Sequence, residues 1–303
     1  MKKIILIILI TFLIILTVGC KQKEIKVGGL TAKLEFYPTS EIIKSDSTID
    51  VWVNLESKEI HDIDGRICIY DSPDDAQFGG IEGSACEDFK IPAVTEKGDA
   101  KTIDVKPVEA TDIIYKKGSN LKSTSFTALI KYKKEETARS NPFCIRRYKD
   151  DPANKCNLLQ KVYFQKYSVV KSLDKYLYDL KGDDNIIDLA VLEIVFEEDK
   201  DCTIIHPDLV NDFNLNADAE EYKEKEIYFE IELEQSGITL NSDSEECSIG
   251  KESTKNRKVI ICEVNLDINQ DFYENEQLIT KFRYGCELPL ISKIVEFNDK
   301  KEA

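Results

Sequence analysis

The chain has 303 residues, room for two domains of ordinary size or one large one. Its 57 acidic and 41 basic residues leave a net charge of −16, which repels phosphate backbones and excludes nucleic acid as an expected partner. Hydrophobic residues make up 42% and charged residues 32%; that balance excludes a polytopic membrane protein and argues against wholesale disorder.

Lys2 and Lys3 precede an apolar run from Ile4 to Val18, the layout of a secretory signal. The run is too short, at ~1.5 Å per residue, to fill a hydrocarbon core ~30 Å thick. Gly19-Cys20 ends it, and a small residue directly before Cys is the cleavage context of a lipoprotein signal. Residues 1–20 are therefore expected to be a lipoprotein signal with the lipid on Cys20, or an uncleaved membrane-anchor helix. In both cases the membrane is contacted through the N-terminus, and the rest lies on the outer face of the cytoplasmic membrane. Residues 21–29 read as a short polar tether.

Period-two alternation then begins. Ala32, Leu34 and Phe36 share a face, with Pro38 closing that strand. Ile49, Val51, Val53 and Leu55 alternate with polar neighbours, and Ile67 and Ile69 continue in the next strand. Residues 71–84 are loop chemistry. FKI at 89–91, TIDV at 102–105 and the set Phe126, Ala128, Ile130 and Tyr132 read as later strands. Short strands between polar turns predict a first β-sandwich over 27–135.

Residues 136–160 break the pattern with Asn141-Pro142 and Asp151-Pro152, and read as a linker stapled by Cys144 and Cys156. A second sandwich is expected over 161–297, with 298–303 as a tail. Residues 172–181 place Leu173, Tyr176, Leu177 and Leu180 at helical spacing, but an edge strand fits equally. Residues 189–196 are apolar on both faces, as in a central strand. Ile227, Phe229, Ile231 and Leu233 alternate cleanly. Further strands carry Ile260, Cys262, Val264 and Leu266; Leu278, Thr280, Phe282, Tyr284 and Cys286; and Ile291, Lys293, Val295 and Phe297.

With Cys20 set aside, eight cysteines remain, and none form a CxxC pair. Structural disulfides are the expected use. Cys68 and Cys86 bracket the turn-rich 71–84 segment, Cys144 and Cys156 close a short proline-containing loop, and Cys247 and Cys262 lie about a hairpin turn near Thr254-Lys255. Elimination pairs Cys202 with Cys286.

The order of these features resembles a family. A lipoprotein start precedes a sandwich with LEFYP and FGGI…C; a linker with FCI…C follows, then a sandwich with IICEV and a closing FRYGC…SKIVEF. The chain is similar in this order to archaeal cell-surface lipoproteins with tandem immunoglobulin-like domains of the CARDB-like kind. The resemblance implies an all-β chain of two tandem Ig-like β-sandwich domains after the N-terminal signal or anchor, exposure at the cell surface and no catalytic residues.

Chemistry is sparse. No GxSxG elbow, HExxH or Walker-type loop occurs, and neither His61 nor His206 has a sequence partner that would make a triad. Asp267–Asp271 alternates oxygen ligands, but Phe272 and Leu278 stand where an EF-hand needs glycine and glutamate, and Asn214–Asp218 fails similarly. Asp62 with Asp64, and Asp71 with Asp74 and Asp75, could contribute carboxylates for calcium at one end of the first sandwich, or else read as solvated acidic loops. No metal, cofactor or catalytic residue is assigned. Arg146, Arg147, Tyr148 and Lys149 form a basic cluster in an acidic chain, a candidate contact loop. The expectation is a non-enzymatic, membrane-anchored extracellular binding or spacer module facing a protein, a surface polymer or a neighbouring cell. The alternative is a structural envelope component that assembles with itself or with other surface proteins along strand edges.

Overall fold

The computed structural model describes residues 29–72, 78–95, 99–117, 120–146, 177–181, 189–198, 201–211, 227–265 and 272–298. These are all-β; two single 3-10 turns, Val108–Ala110 and Pro207–Val210, are the helical elements among the described residues. The strands up to residue 146 are β1 (Leu30–Tyr37), β2 (Ile42–Ile43), β3 (Thr48–Ser57), β4 (Ile63–Ser72), β5 (Ala85–Ile91), β6 (Lys101–Val105), β7 (Ile113–Ile114), β8 (Ser123–Arg139) and β9 (Phe143–Arg146). Next come β10 (Leu177–Lys181), β11 (Leu189–Glu197), β12 (Thr203–Ile205), β13 (Ile227–Leu233) and β14 (Ile238–Asn241). The last are β15 (Cys247–Ile249), β16 (Arg257–Asn265), β17 (Phe272–Glu276), β18 (Leu278–Glu287) and β19 (Ile291–Phe297).

One small sheet has the order β1-β3-β6 with β7 also beside β3, and another has the order β10-β11-β16-β15. A nine-stranded sheet runs β14-β13-β18-β8-β19-β2, with β12 on β18, and with β4 on β8 carrying β5 outside it. β9 and β17 form a separate ribbon.

The spine of the large sheet is β8. Along one edge, β18 pairs with it from Arg139 to Lys131 and β19 pairs with it from Ala128 to Ser123, both antiparallel. β18 and β19 thus act as a single rail along β8, interrupted at Pro289, which has no N–H to give the ladder. The Leu288 N–H to Ile130 carbonyl bond (3.0 Å) carries the pairing into that break.

Alternation puts even-numbered residues of β8 and β18 on one face, and two cores lie on it. The first packs Ile49, Val51, Val53 and Leu55 of β3 against Ile67 and Ile69 of β4, Phe126, Ala128 and Ile130 of β8 and Val295 of β19. The second packs Ile194 and Phe196 of β11 and Ile260 of β16 against Phe229 and Ile231 of β13 and Phe282 and Tyr284 of β18. Phe196 stacks on Phe282 and meets Tyr284 edge-on, each at 4.9 Å between centroids. β11 lies between β10 and β16, the central place its two apolar faces predict.

The strand pairing does not stop at residue 135. Residues 136–139, read as the start of a linker, complete β8 against β18, and residues 143–146 are strand as well. Residues 291–297, read as the end of a second sandwich, pair with the first-core half of β8 and place Val295 in the first core. The two sandwich-like halves therefore share one sheet. In the 172–181 segment, residues 177–181 are the edge strand β10; residues 172–176 fall outside the described region.

Three of the four expected cysteine pairs stand at bonding distance. Cys68 and Cys86 are directly opposite each other on β4 and β5, and Cys247 and Cys262 on β15 and β16, both with Cα atoms 4.1 Å apart. Cys202 and Cys286 have Cα atoms 5.4 Å apart. Cys156, and with it the Cys144 pairing, lies outside the described residues. So do residues 1–28, with Cys20, and residues 299–303; among the described residues no helix is long and apolar enough to cross a membrane.

Candidate functional site

The face of the large sheet opposite the cores carries the odd-numbered residues of β8 and β18. Over it lies a groove of about 720 Å³. Lys133 and Glu135 of β8, Arg283 of β18, and Tyr228 and Glu230 of β13 line it from the sheet. Pro207 and Asp208 line it from the 3-10 turn, Asn241 from the end of β14, Ser242 and Asp243 from just after it, and Asp62 and Asp64 from the entry to β4. Recesses of about 410 Å³ beside Gly65 and 250 Å³ beside Lys281 adjoin it and share its residues.

The turn wall is fixed by close packing and by a histidine. A Cβ on Gly285 would lie 2.7 Å from Ile205 Cγ1 and 2.9 Å from Val210 Cγ2, so only glycine lets the turn settle on β18. His206 caps the turn: its Nδ1 accepts the Asp208 N–H (3.2 Å), which leaves the proton on Nε2 for the Tyr228 hydroxyl (2.8 Å). The histidine is buried and serves as a positioning group for Tyr228.

Charge in the groove is mixed. Lys90 bridges Asp62 and Asp64 at 3.6 and 3.4 Å. The Ala93 N–H donated to Asp62, with Lys90 beside it, holds that carboxyl below its ordinary range. Lys281 donates to Glu230 (2.7 Å), which raises the Lys281 ammonium. Lys133 and Arg283 make no ion pair among the described residues, and Arg283 sits opposite Glu135 across the β8–β18 ladder.

On the core side of the same strands is a second polar set that the sequence reading did not single out. Lys134, Glu136, Glu59 and Glu198 are 9%, 4%, 3% and 3% exposed. Lys134 Nζ lies 3.0 Å from Glu59, 3.2 Å from Glu198 and 3.6 Å from Glu136. The Tyr284 hydroxyl bonds to Glu136 (3.1 Å) and also to Glu198. Glu59 accepts the Gly29 N–H (2.8 Å) as well. Burial works against the Lys134 charge, yet Tyr132, Glu198, Glu59 and Glu136 around it hold the ammonium well above its ordinary value. Burial, reinforced by Glu198 and Glu59, pushes Glu136 up to about 7 despite the opposing pull of Lys134. The signal in the sequence was register: Lys134 and Glu136 continue the inward-facing series Phe126, Ala128, Ile130 and Tyr132.

The other sequence candidates fall as follows. Arg146 lies on β9 opposite Phe272, and Arg147, Tyr148 and Lys149 lie outside the described residues. Asp71 accepts from the Tyr115 hydroxyl and from the Ile81 N–H (3.0 Å), so it is a loop clip. Asp74, Asp75 and the 214–218 and 267–271 segments are outside the described residues. Among the described residues no group of His, Cys, Asp or Glu is placed to hold a metal ion.

No protein-family model matches this chain, and no curated protein shows significant similarity to it.

Proposed function

We propose that this chain is a membrane-anchored extracellular binding or spacer module without catalysis, held by its N-terminus and presenting the outer face of its large sheet to a protein or surface polymer. The observation that carries this reading is the groove itself. It is broad and polar, loops and strand ends wall it, Tyr228, Phe229 and Tyr284 are its aromatic lining residues, and it holds two cations, Lys133 and Arg283, that make no ion pair among the described residues. Such a surface recognises through charge placement and hydrogen bonds. Assembly along strand edges has less support. The edge strand β1 carries Lys33 and Glu35, and the edge strand β5 carries Glu87, Asp88 and Lys90, charges that blunt edge pairing.

The test is cross-linking on intact cells with the native chain and with a Lys133→Glu/Arg283→Glu variant. The expected result is a partner bound by the native chain and lost from the variant at unchanged melting temperature. Equal recovery of the same partner by both refutes the groove as the contact face. Membrane fractionation of a Cys20→Ser variant tests the anchor separately: release is expected, and unchanged retention and mass identify an uncleaved helix.

A further inference from the structure

The buried set at Lys134 joins both halves of the molecule. Glu59 follows β3, which belongs to the first core; Glu198 follows β11, which belongs to the second; Lys134, Glu136 and Tyr284 stand on the shared strands between them. Glu59 also receives the N–H of Gly29, where the chain enters β1, so the root of the N-terminal segment is tied to the same four groups. Three carboxyl groups surround one ammonium. If all three ionise, they bring three negative charges to one ammonium in a place shielded from water. One oxygen, Glu136 Oε2, is buried with no hydrogen-bond partner among the described residues. Beside Glu136 lies a cleft of only about 10 Å³, lined also by His61, Asp62 and Ile63; that is room for about one water molecule and no larger ligand.

We propose that Glu136 is a proton-operated latch on the junction between the two halves: with its proton in place the junction is closed, and loss of the proton loosens Glu59 and Glu198 from Lys134. A neutral Glu136 leaves Lys134 to Glu59 and Glu198, its two nearest partners. An ionised Glu136 competes for the same ammonium and repels both other carboxylates. The Tyr284 hydroxyl has a single proton to share between Glu136 and Glu198 and cannot satisfy two anions at once. The charged and titratable groups facing Glu136 are Tyr132 and Lys134 from β8, Tyr284 from β18, Glu198 from the end of β11, and Glu59, His61 and Asp62 from the segment between β3 and β4. Tyr132 and Tyr284 are held neutral by burial, so they take no part in the titration near neutrality.

The direction follows from linkage. A carboxyl raised from 4.5 to about 7 stabilises the closed form fully below pH 4.5 and loses that contribution as pH climbs through 7. The test is amide hydrogen exchange on the native chain and on Glu136→Gln, corrected for intrinsic exchange rates and followed at the Gly29 amide and along residues 57–63. Protection in the native chain should fall roughly 70-fold between pH 5 and pH 8, and in the variant it should stay level. Equal pH dependence in both, or none in either, overturns the latch. If the variant does not fold, carbon NMR titration of the native Glu136 carboxyl decides: a midpoint near 7 supports the latch, and one near 4.5 sinks it.

Discussion

Replacing Lys134 by methionine keeps most of the side-chain volume and removes the cation that Glu59, Glu136 and Glu198 share. All three carboxyl groups lie within 3.6 Å of its Nζ, and all are nearly inaccessible to water. Removing one side of such a buried set costs about 3–5 kcal/mol, far above the ~0–1 kcal/mol of an exposed ion pair. For a chain of this size each kcal/mol lowers the melting temperature by roughly 2–4 °C, so a drop of about 6–20 °C is expected. The loss should be largest at pH 8 and should shrink at pH 5, where Glu136, raised to about 7, holds a proton and brings no charge to the set. Urea unfolding of the native chain and Lys134→Met across that range gives both numbers. A loss under about 1 kcal/mol at pH 8, or one equal at both pH values, would show that water reaches the set and that the reasoning from burial is wrong.

Three further outcomes are expected. Peptide mapping without reduction should recover Cys68–Cys86, Cys202–Cys286 and Cys247–Cys262, and a Cys247→Ala/Cys262→Ala variant, opening a 15-residue span, should lose about 3 kcal/mol in denaturant unfolding. Val295→Asp, in the last strand, should abolish amide protection along residues 123–128 and 49–55, which lie far from it in sequence but in the same core; intact protection there would contradict the shared sheet. Gly285→Ala should cost about 1–3 kcal/mol and displace the Pro207–Val210 turn, read as altered Tyr228 fluorescence, because its Cβ would overlap Ile205 and Val210.

Most strands were legible because one face of each is buried. Ile49, Val51, Val53 and Leu55 alternate as they do because their odd positions enter the first core, and Ile227 to Leu233 do the same in the second. What alternation does not encode is which strand lies beside which. The first sandwich was read as ending at 135 because 136–160 breaks the pattern with two proline turns; Lys134 and Glu136 are instead the inward residues of a strand crossing between two cores. β19 was legible as a strand, but nothing in Ile291, Lys293 or Val295 says that its neighbour is Phe126. Its lysine is inward-leaning yet tolerated, since Lys293 Nζ rests 4.3 Å over the Phe36 ring. Glu59 and Glu198 had no signal at all: among 57 acids, two buried ones look like the rest. The disulfides were the most readable long-range feature, because two of them join residues directly across a ladder from each other.

The return of β19 to the first core also sets an order of events for a chain that emerges from one end. β3, β4 and β8 are available early, but the edge of β8 that takes β18 and β19 stays open until the last described strand has appeared. Roughly 150 residues separate them, about 8–30 s of synthesis at 5–20 residues per second. Over that interval an unpaired strand edge next to Phe126 and Ile130 offers itself to any other extended segment, including the same edge of a second nascent chain. A factor that shields this edge during emergence would act on every copy, and its absence would show first as swapped dimers in which β18 and β19 of one chain complete β8 of another.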